Sequence, residues 1–356
     1  MEADQKKVSV ILSSYNAKER LFLALSSYHD QDYPKEHFEV IVVDDGSTDE
    51  TYKMIRTLNV HYHLKYIRHV KNLGRACARN SGIKAASGEI IIFSDSDMIA
   101  EPTFISKHVL HHKKNDNIFV CGSFWNKINK NYNEKKGRYL PPINPIVIKN
   151  KQIFKTSSKQ AFAQFYESFQ EYYGTNLEGF EFPWMYFIVM NCSVKLKHLK
   201  RVGLFDEQFK RYGGEDEEMG YRLWKGGLKG IVDPSIKNYH LEHDRSTNQQ
   251  DDSYQNIHYI IQKHAEINPI MYYFIDFIDG FEKSRLLQDM KNAIKEKIVS
   301  PSFEQNCLLL FIHYSRKSKT LQPPSLSLEI KKLRTIKKYR KLAMFLQQLI
   351  LKTTKR

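Results

Sequence analysis

Asp95 and Asp97, separated by Ser96, stand directly after the apolar run EIIIF at 89–93. A buried strand ending there would hold two carboxylates on a rigid edge, an arrangement that can grip Mn²⁺ or Mg²⁺ against the oxygens of a diphosphate. The spacing alone carries little, because a chain of this composition should contain about one such pair by chance. The strand before it gives the pair its weight. Two other polar clusters follow apolar runs in the same way: Ser13-Ser14-Tyr15-Asn16 after VSVIL at 8–12, and Asp44-Asp45-Gly46-Ser47-Thr48-Asp49 after FEVIVV at 38–43. The second also reads as a plain strand-to-helix turn with Asp49 near the helix start. Farther on, Glu215-Asp216-Glu217-Glu218 after Gly213-Gly214 opens a helix, where negative charge is favourable in any case.

These clusters need a scaffold, and the first half of the chain supplies one. Four β-rich runs at 8–12, 38–43, 64–68 and 89–93 alternate with helical segments, the first of them marked by Leu21, Ala24, Leu25 and Tyr28. Continuous apolar strands separated by helices predict a parallel sheet covered on both faces. An open α/β sheet binds its ligand at the C-terminal ends of its strands, where the polar clusters lie. A dinucleotide fingerprint would need closely spaced glycines after the first strand, and SSYN has none; a GxxxxGK[ST] loop is also missing. Hydride transfer and P-loop phosphoryl transfer lose ground to a nucleotide site built from acids, with a metal carrying the phosphates.

The 356 residues exceed one average domain, and 13% aromatics supply enough bulky apolar area for a folded core. The net charge of +15 is unevenly spread: residues 316–356 hold 13 Lys and Arg against one acid, Glu329, and so carry +12. Between 328 and 351, Leu328, Ile330, Leu333, Ile336, Leu342, Phe345, Leu346, Leu349 and Ile350 recur every three to four residues with basic residues between them, which predicts a basic amphipathic helix. Such a helix suits an anionic membrane surface, or else a terminal helix docked on the body with a solvated basic face. Nucleic acid is disfavoured because no aromatic platform accompanies the tail. No apolar run approaches a membrane span and the N-terminus has no signal-peptide core, so the expectation is a cytoplasmic protein, peripheral on the inner face of the membrane if the tail docks there. Cys77, Cys121, Cys192 and Cys307 are far apart and read as ordinary buried thiols.

Taken in order, SSYN, VVDDGSTD, NLGRACARNSG at 72–82 and IIIFSDSD resemble the family 2 glycosyltransferases, whose GT-A sheet binds nucleotide sugars. GLFDE at 203–207, GGEDEE at 213–218 and YRL at 221–223 are similar to the galactosyltransferase-type C-terminal segment of chondroitin-polymerase-like bacterial enzymes. The resemblance runs from residue 8 to 245, and nothing comparable covers 250–356. It implies an α/β, GT-A nucleotide-sugar-binding domain at 1–245 with a mostly parallel central sheet flanked by helices, then a helical extension at 246–356 ending in the basic amphipathic helix. It also implies a donor pocket in which Asp44 or Asp45 meets uracil and ribose, with Ser13, Tyr15, Arg75, Asp95 and Ser96 around the nucleotide. Asp95 and Asp97 would be the DxD metal motif, Asp97 the direct ligand, with His240 or His243 of Tyr239-His240-Leu241-Glu242-His243 completing the shell; a lone surface histidine is the alternative for each. Asp216 takes the position of the general base with Glu215 beside it; Gly214 before it, and Trp184 among the aromatics of 162–187, are the acceptor-side candidates.

Cleaving a sugar-phosphate bond develops negative charge on the diphosphate, which a divalent ion stabilises, while one carboxylate takes the proton of the attacking hydroxyl. The implied reaction moves a sugar from a UDP-linked donor to a hydroxyl of a glycan, lipid-linked or peptide acceptor, with inversion. The residues by themselves also allow a retaining transferase, a nucleotidyltransferase or a non-catalytic carbohydrate- or membrane-binding protein. From 162 to 187, 11 of 26 residues are aromatic. Those with helical spacing up to Tyr173 read as core, and those near Trp184 as exposed rings on which a sugar could stack.

Overall fold

The structure, a computed structural model, describes residues 8–126, 158–159, 174–177, 183–210, 212–241, 243, 255–256, 259–264, 266–267, 289–290, 292–300, 303, 307 and 326–354. The chain divides into two compact units, Met1–Asn256 and Ile257–Arg356. In chain order the first unit contains β1 (Val8–Ser14), α1 (Lys18–Ser27), β2 (Phe38–Asp44), α2 (Thr51–Thr57), β3 (His63–Arg68), α3 (Arg75–Ala85), β4 (Ile90–Asp95), β5 (Met98–Ala100), α4 (Phe104–Lys114), β6 (Ile118–Asn126), β7 (Ser158–Lys159), β8 (Cys192–Lys195), α5 (Leu196–Val202), α6 (Glu215–Lys225) and β9 (Lys229–His240).

Among the described residues all nine strands join one sheet in the order β3-β2-β1-β4-β8-β6-β9-β5, with β7 paired to β6. The β3-β2-β1-β4 half is parallel throughout. The runs of β1, β2 and β4 are largely apolar because both faces are covered, whereas the edge strand β3 is half-buried. Phe38, Val40 and Val42 share a core with Leu21, Leu25 and Phe104, whereas Ile41 and Val43 turn the other way onto Ala78 of α3.

The strands run one or two residues past their apolar stretches, so Ser13, Ser14, Asp44 and Asp95 are their last residues. The parallel register sets Ser14 opposite Asp44, Ser13 opposite Asp95 and Asp44 opposite Arg68. The polar clusters therefore line one edge of the sheet.

Beyond β4 the sheet becomes mixed: β8 is antiparallel to β4 and β6, β6 is parallel to β9, and β5 is antiparallel to β9. The register of β6 against β9 shifts between Gly122 and Ser123, the partner jumping from Asp233 to Lys237 so that Pro234 falls in the irregularity. This accommodates a proline that cannot donate to a ladder.

The described residues of the second unit include α7 (Ser327–Thr335) and α8 (Arg340–Thr354), separated by a 3₁₀ turn at Lys337–Tyr339. The single helix expected over 328–351 is thus two helices that pack on each other. Ile330, Leu333, Tyr339, Leu342, Ala343 and Leu346 are buried, and the basic residues between them face outward. Leu328 stays 63% exposed, while Glu296 pairs with Lys338 at 2.6 Å and Ser300 hydrogen-bonds Glu329, so most of this stripe packs within the unit. No helix among the described residues is long and apolar enough to cross a membrane. Cys121, Cys192 and Cys307 are buried, Cys77 is half-buried, and none of the four is in a disulfide.

Candidate active site

The loops at the sheet edge are tied to one another by their own polar residues. Asn16 takes a left-handed conformation, φ 49°, which asparagine tolerates. Its Oδ1 accepts from the Thr48 N–H at 2.8 Å, while its own N–H donates to Ser47 Oγ at 2.9 Å. The Asp44 carboxylate accepts from the Ser47 N–H at 2.8 Å and from the Tyr66 hydroxyl at 2.5 Å. Asp45 accepts from the N–H groups of Leu73 at 2.9 Å and Gly74 at 2.8 Å, and its Oδ1 lies 2.7 Å from His69 Nδ1. Both carboxylates are buried and hold the loops in place. Ser13 is half-buried at the strand edge, and Tyr15, 48% exposed, is the accessible ring of the first loop.

Asp97 follows the end of β4, and the antiparallel pairing of β5 with β9 sets Met98 opposite His240. The Leu241 N–H donates to the Asp97 carbonyl at 2.8 Å and closes the corner. As a result Asp97 Oδ2 lies 2.9 Å from His243 Nε2 and 3.6 Å from His240 Nε2. One ligand atom from each of the three side chains falls within 4.8 Å of the others. Burial works to raise the Asp97 carboxyl, but the two imidazoles overcome it and hold the group well below the usual carboxylate range. Asp97 Oδ1 is buried with no hydrogen-bond partner. An anionic oxygen left open beside two imidazole nitrogens fits a divalent cation of the Mn²⁺ type. Asp95 is not part of this trio; it faces Arg79, and Ser96 between the two acids is buried.

Arg79 of α3 is the organising cation next door. Its Nη1 donates to Glu215 Oε1 at 2.7 Å and to Asp216 Oδ1 at 2.9 Å, and Nη2 lies 3.7 Å from Asp95 Oδ1. The other oxygen of Asp216 accepts from the Val189 N–H at 3.2 Å. Burial pushes Asp216 well above the usual carboxylate range, and Arg79 opposes that push; Asp95 is raised for the same reason and opposed by the same cation. Gly214, at φ 91° just before α6, makes a left-handed entry that a side chain would strain, and it sets Glu215 and Asp216 in the first turn of the helix.

Sequence reasoning missed Arg79 and its neighbour Asn80. Asn80 grips the backbone of Phe205 from both sides, donating to its carbonyl at 2.9 Å and accepting from its N–H at 2.8 Å, and so docks the GLFDE segment on α3. The signal was present: Ala76, Arg79, Asn80 and Ile83 share the buried face at helical spacing, and two polar residues at core positions demand partners.

One expectation is corrected. Trp184 is 1% exposed with its ring edge-on to Tyr221, so it packs in the interior and offers no open face on which a sugar could stack. Arg75 is exposed at the start of α3 with its guanidinium 4.7 Å from the centre of the Tyr212 ring. The helically spaced aromatics from Phe162 to Tyr173, together with Phe180 and Phe182, lie outside the described residues.

Comparison with known proteins agrees with this architecture. Residues 9–172 match the model of glycosyl transferase family 2, and residues 175–244 match the galactosyltransferase N-terminal domain. The uncharacterized glycosyltransferase YfnE of Bacillus subtilis is 35% identical over 283 residues, 74% of this chain and 72% of that protein. Validoxylamine A glucosyltransferase of Streptomyces hygroscopicus is 26% identical, covering 75% of this chain and 59% of its own length. Chondroitin synthase of Escherichia coli is 28% identical over 68% of this chain, which spans 36% of that enzyme. Among solved structures, S. aureus TarS 1–349 in complex with UDP-GlcNAc superposes with a TM-score of 0.55 at 19% identity, over 96% of this chain and 92% of that one, and so shares the fold. A parallel sheet edge lined by acids, joined through antiparallel strands to a histidine pair and an acid-opened helix, is thus the GT-A arrangement, and the chain belongs to glycosyltransferase family 2.

Proposed function

We propose that the protein is a metal-dependent, inverting transferase that moves a sugar from a UDP-linked donor to a hydroxyl of a glycan, lipid-linked or peptide acceptor. The observation that carries this reading is the open, buried Oδ1 of Asp97 beside His240 and His243, next to an Arg79-held Asp216. Asp97, His240 and His243 would hold Mn²⁺ or Mg²⁺, with Asp95 close by; when bound, the ion stabilises negative charge on the leaving diphosphate. Tyr15 and Arg75, both exposed, would meet the nucleotide, while Asp44 and Asp45 act at one remove by shaping its loops. Asp216 would accept the proton of the acceptor hydroxyl as that oxygen bonds the anomeric carbon, the sugar–phosphate bond breaking with its electron pair going to the departing nucleoside diphosphate. Support for the donor class comes from the solved structure that shares the fold and holds UDP-GlcNAc, and support for Mn²⁺ from GalNAc-T7, solved with UDP, GalNAc and Mn²⁺ and superposing at a TM-score of 0.52.

The basic face of α7 and α8 is proposed to dock on an anionic membrane surface. With most of the apolar stripe turned inward, that docking is chiefly electrostatic and runs through Lys331, Lys332, Arg334, Lys337, Arg340 and Lys341, all exposed. The reading of the site is tested by screening nucleotide sugars for hydrolysis with and without Mn²⁺. Metal-dependent release of UDP supports it, and Asp216→Asn should lower turnover by about two to four orders of magnitude with donor affinity nearly intact. Hydrolysis that ignores the metal, or a fully active Asp216→Asn, contradicts it.

A further inference from the structure

We propose that Arg79 is a positioning residue of the transfer reaction: a single guanidinium gathers acids from β4 and α6, aims Asp216 at the acceptor and favours its ionised form against the neighbouring carboxylates. The inference rests on the reading of Asp216 as the base. Arg79 is fixed on every side. Its side chain is 5% exposed, its guanidinium carbon sits 5.6 Å from the centre of the Phe205 ring, and Asn80 clamps that same phenylalanine's backbone. Nη1 spends its hydrogens on Glu215 and Asp216, and Nη2 faces Asp95. Asp216 is therefore held by Oδ1, and Oδ2, which among the described residues carries a 3.2 Å bond from the Val189 N–H, keeps capacity for an incoming hydroxyl.

Charge makes the arrangement more than scaffolding. The groups that act on Asp216 are Arg79 from α3, Glu215 and Glu217 from its own helix, Asp95 from β4 and the Cys192 thiol from β8. Arg79 is the cation in that set. A half-buried carboxyl beside further carboxylates takes up a proton unless a cation offsets them, and a protonated Asp216 cannot act as a base. Lysine could replace the charge but not the fork that reaches two acids from one nitrogen and a third from the other. Glu215 competes with Asp216 for Nη1 and keeps its own Oε2 buried and unpartnered, so its carboxylate draws on the cation that Asp216 needs.

The test is the pH profile of Mn²⁺-supported UDP release from whichever nucleotide sugar the full chain hydrolyses, for wild type, Arg79→Met, Arg79→Lys and Glu215→Gln. In Arg79→Met, kcat should fall by about 100-fold and the acid limb should move up by at least about one pH unit, with the donor KM changed less than about threefold. Arg79→Lys should recover part of the shift. Glu215→Gln should move the limb down, because one carboxylate is gone and Asp216 has the guanidinium to itself. A purely structural arginine predicts no such opposite displacement, so if Arg79→Met does not fold, Arg79→Lys against Glu215→Gln decides. An acid limb unmoved in the Arg79 variants, or a loss that appears only in KM, overturns the proposal while leaving the donor and metal reading standing. A wild-type chain that hydrolyses no nucleotide sugar overturns both.

Discussion

Replacing Asp45 with alanine separates two roles that its motif allows. In the structure its carboxylate binds protein, accepting from the N–H groups of Leu73 and Gly74 at 2.9 and 2.8 Å and lying 2.7 Å from His69 Nδ1. A hydrogen bond to a charged acceptor contributes about 1.5–3 kcal/mol, and the lower end applies here because Leu73 is exposed and Gly74 half-buried, so that water recovers part of the loss. Two such bonds at about 1.5 kcal/mol and about 1 kcal/mol for the histidine contact give a loss of about 4 kcal/mol for Asp45→Ala, with Asp45→Asn losing about half. At about 2–4 °C per kcal/mol for a unit of this size, the alanine variant should melt about 8–16 °C below wild type. Differential scanning calorimetry reads this directly, with UDP titration in parallel. A variant that melts within about 2 °C of wild type yet loses more than about tenfold in UDP affinity would refute the reasoning, because the carboxylate would then serve the nucleotide and not the loop.

Further outcomes follow from other parts of the molecule. Burial drives His108 and His112 of α4 down from 6.5 to about 3, held neutral among Asn191 and Ser193. The unfolded chain therefore binds their protons first, and stability present above pH 6.5 is lost as pH falls toward 3; urea denaturation should give about 2 kcal/mol less at pH 5.5 than at pH 7, and a His108→Asn, His112→Asn double variant should flatten that slope. Gly220→Ala would set its Cβ 2.4 Å from the Trp184 carbonyl oxygen, so α6 must shift, with an expected loss of about 1–3 kcal/mol by denaturant titration and a fall in turnover because Asp216 rides on the same helix. The full chain should co-sediment with vesicles rich in phosphatidylserine at low salt and release as salt rises, at about 1 kcal/mol per engaged basic residue, while Lys331→Glu with Arg334→Glu abolishes binding; binding that persists at high salt would point to apolar insertion instead.

The inner parallel strands β1, β2 and β4 were legible because they are buried on both faces and read as largely apolar runs, β2 being buried from Phe38 to Asp44, whereas β3 at the edge is only half-buried. The mixed half was not legible. β8 has four residues, and β9 contains Gly230 and Pro234, a composition that argues against a central strand until the register shift opposite Gly122 is seen. The convergence of Asp97 with His240 and His243 depends on β5 pairing with β9, a contact across some 140 residues of sequence that no local pattern encodes. The strand-end position pointed to Asp97, whereas His240 and His243 were reached only through the family resemblance. Trp184 misled because composition shows that an aromatic is present but not which face it turns to solvent. In the tail the three-to-four periodicity was real, but it continues across the 3₁₀ turn at Lys337–Tyr339 and so hid the division into two helices.

The central claim is that Asp97, His240 and His243 hold a divalent ion that carries the donor diphosphate. Calorimetric titration of UDP into the full chain, with saturating Mn²⁺ and again after EDTA, for wild type, Asp97→Ala and His243→Ala, measures it most directly. The account predicts tight binding only for wild type with metal, at least about a hundredfold weaker binding after chelation or in Asp97→Ala, and an intermediate loss in His243→Ala. Equal UDP affinity with and without metal in wild type, or an Asp97→Ala variant that binds Mn²⁺ and UDP as wild type does, would contradict it.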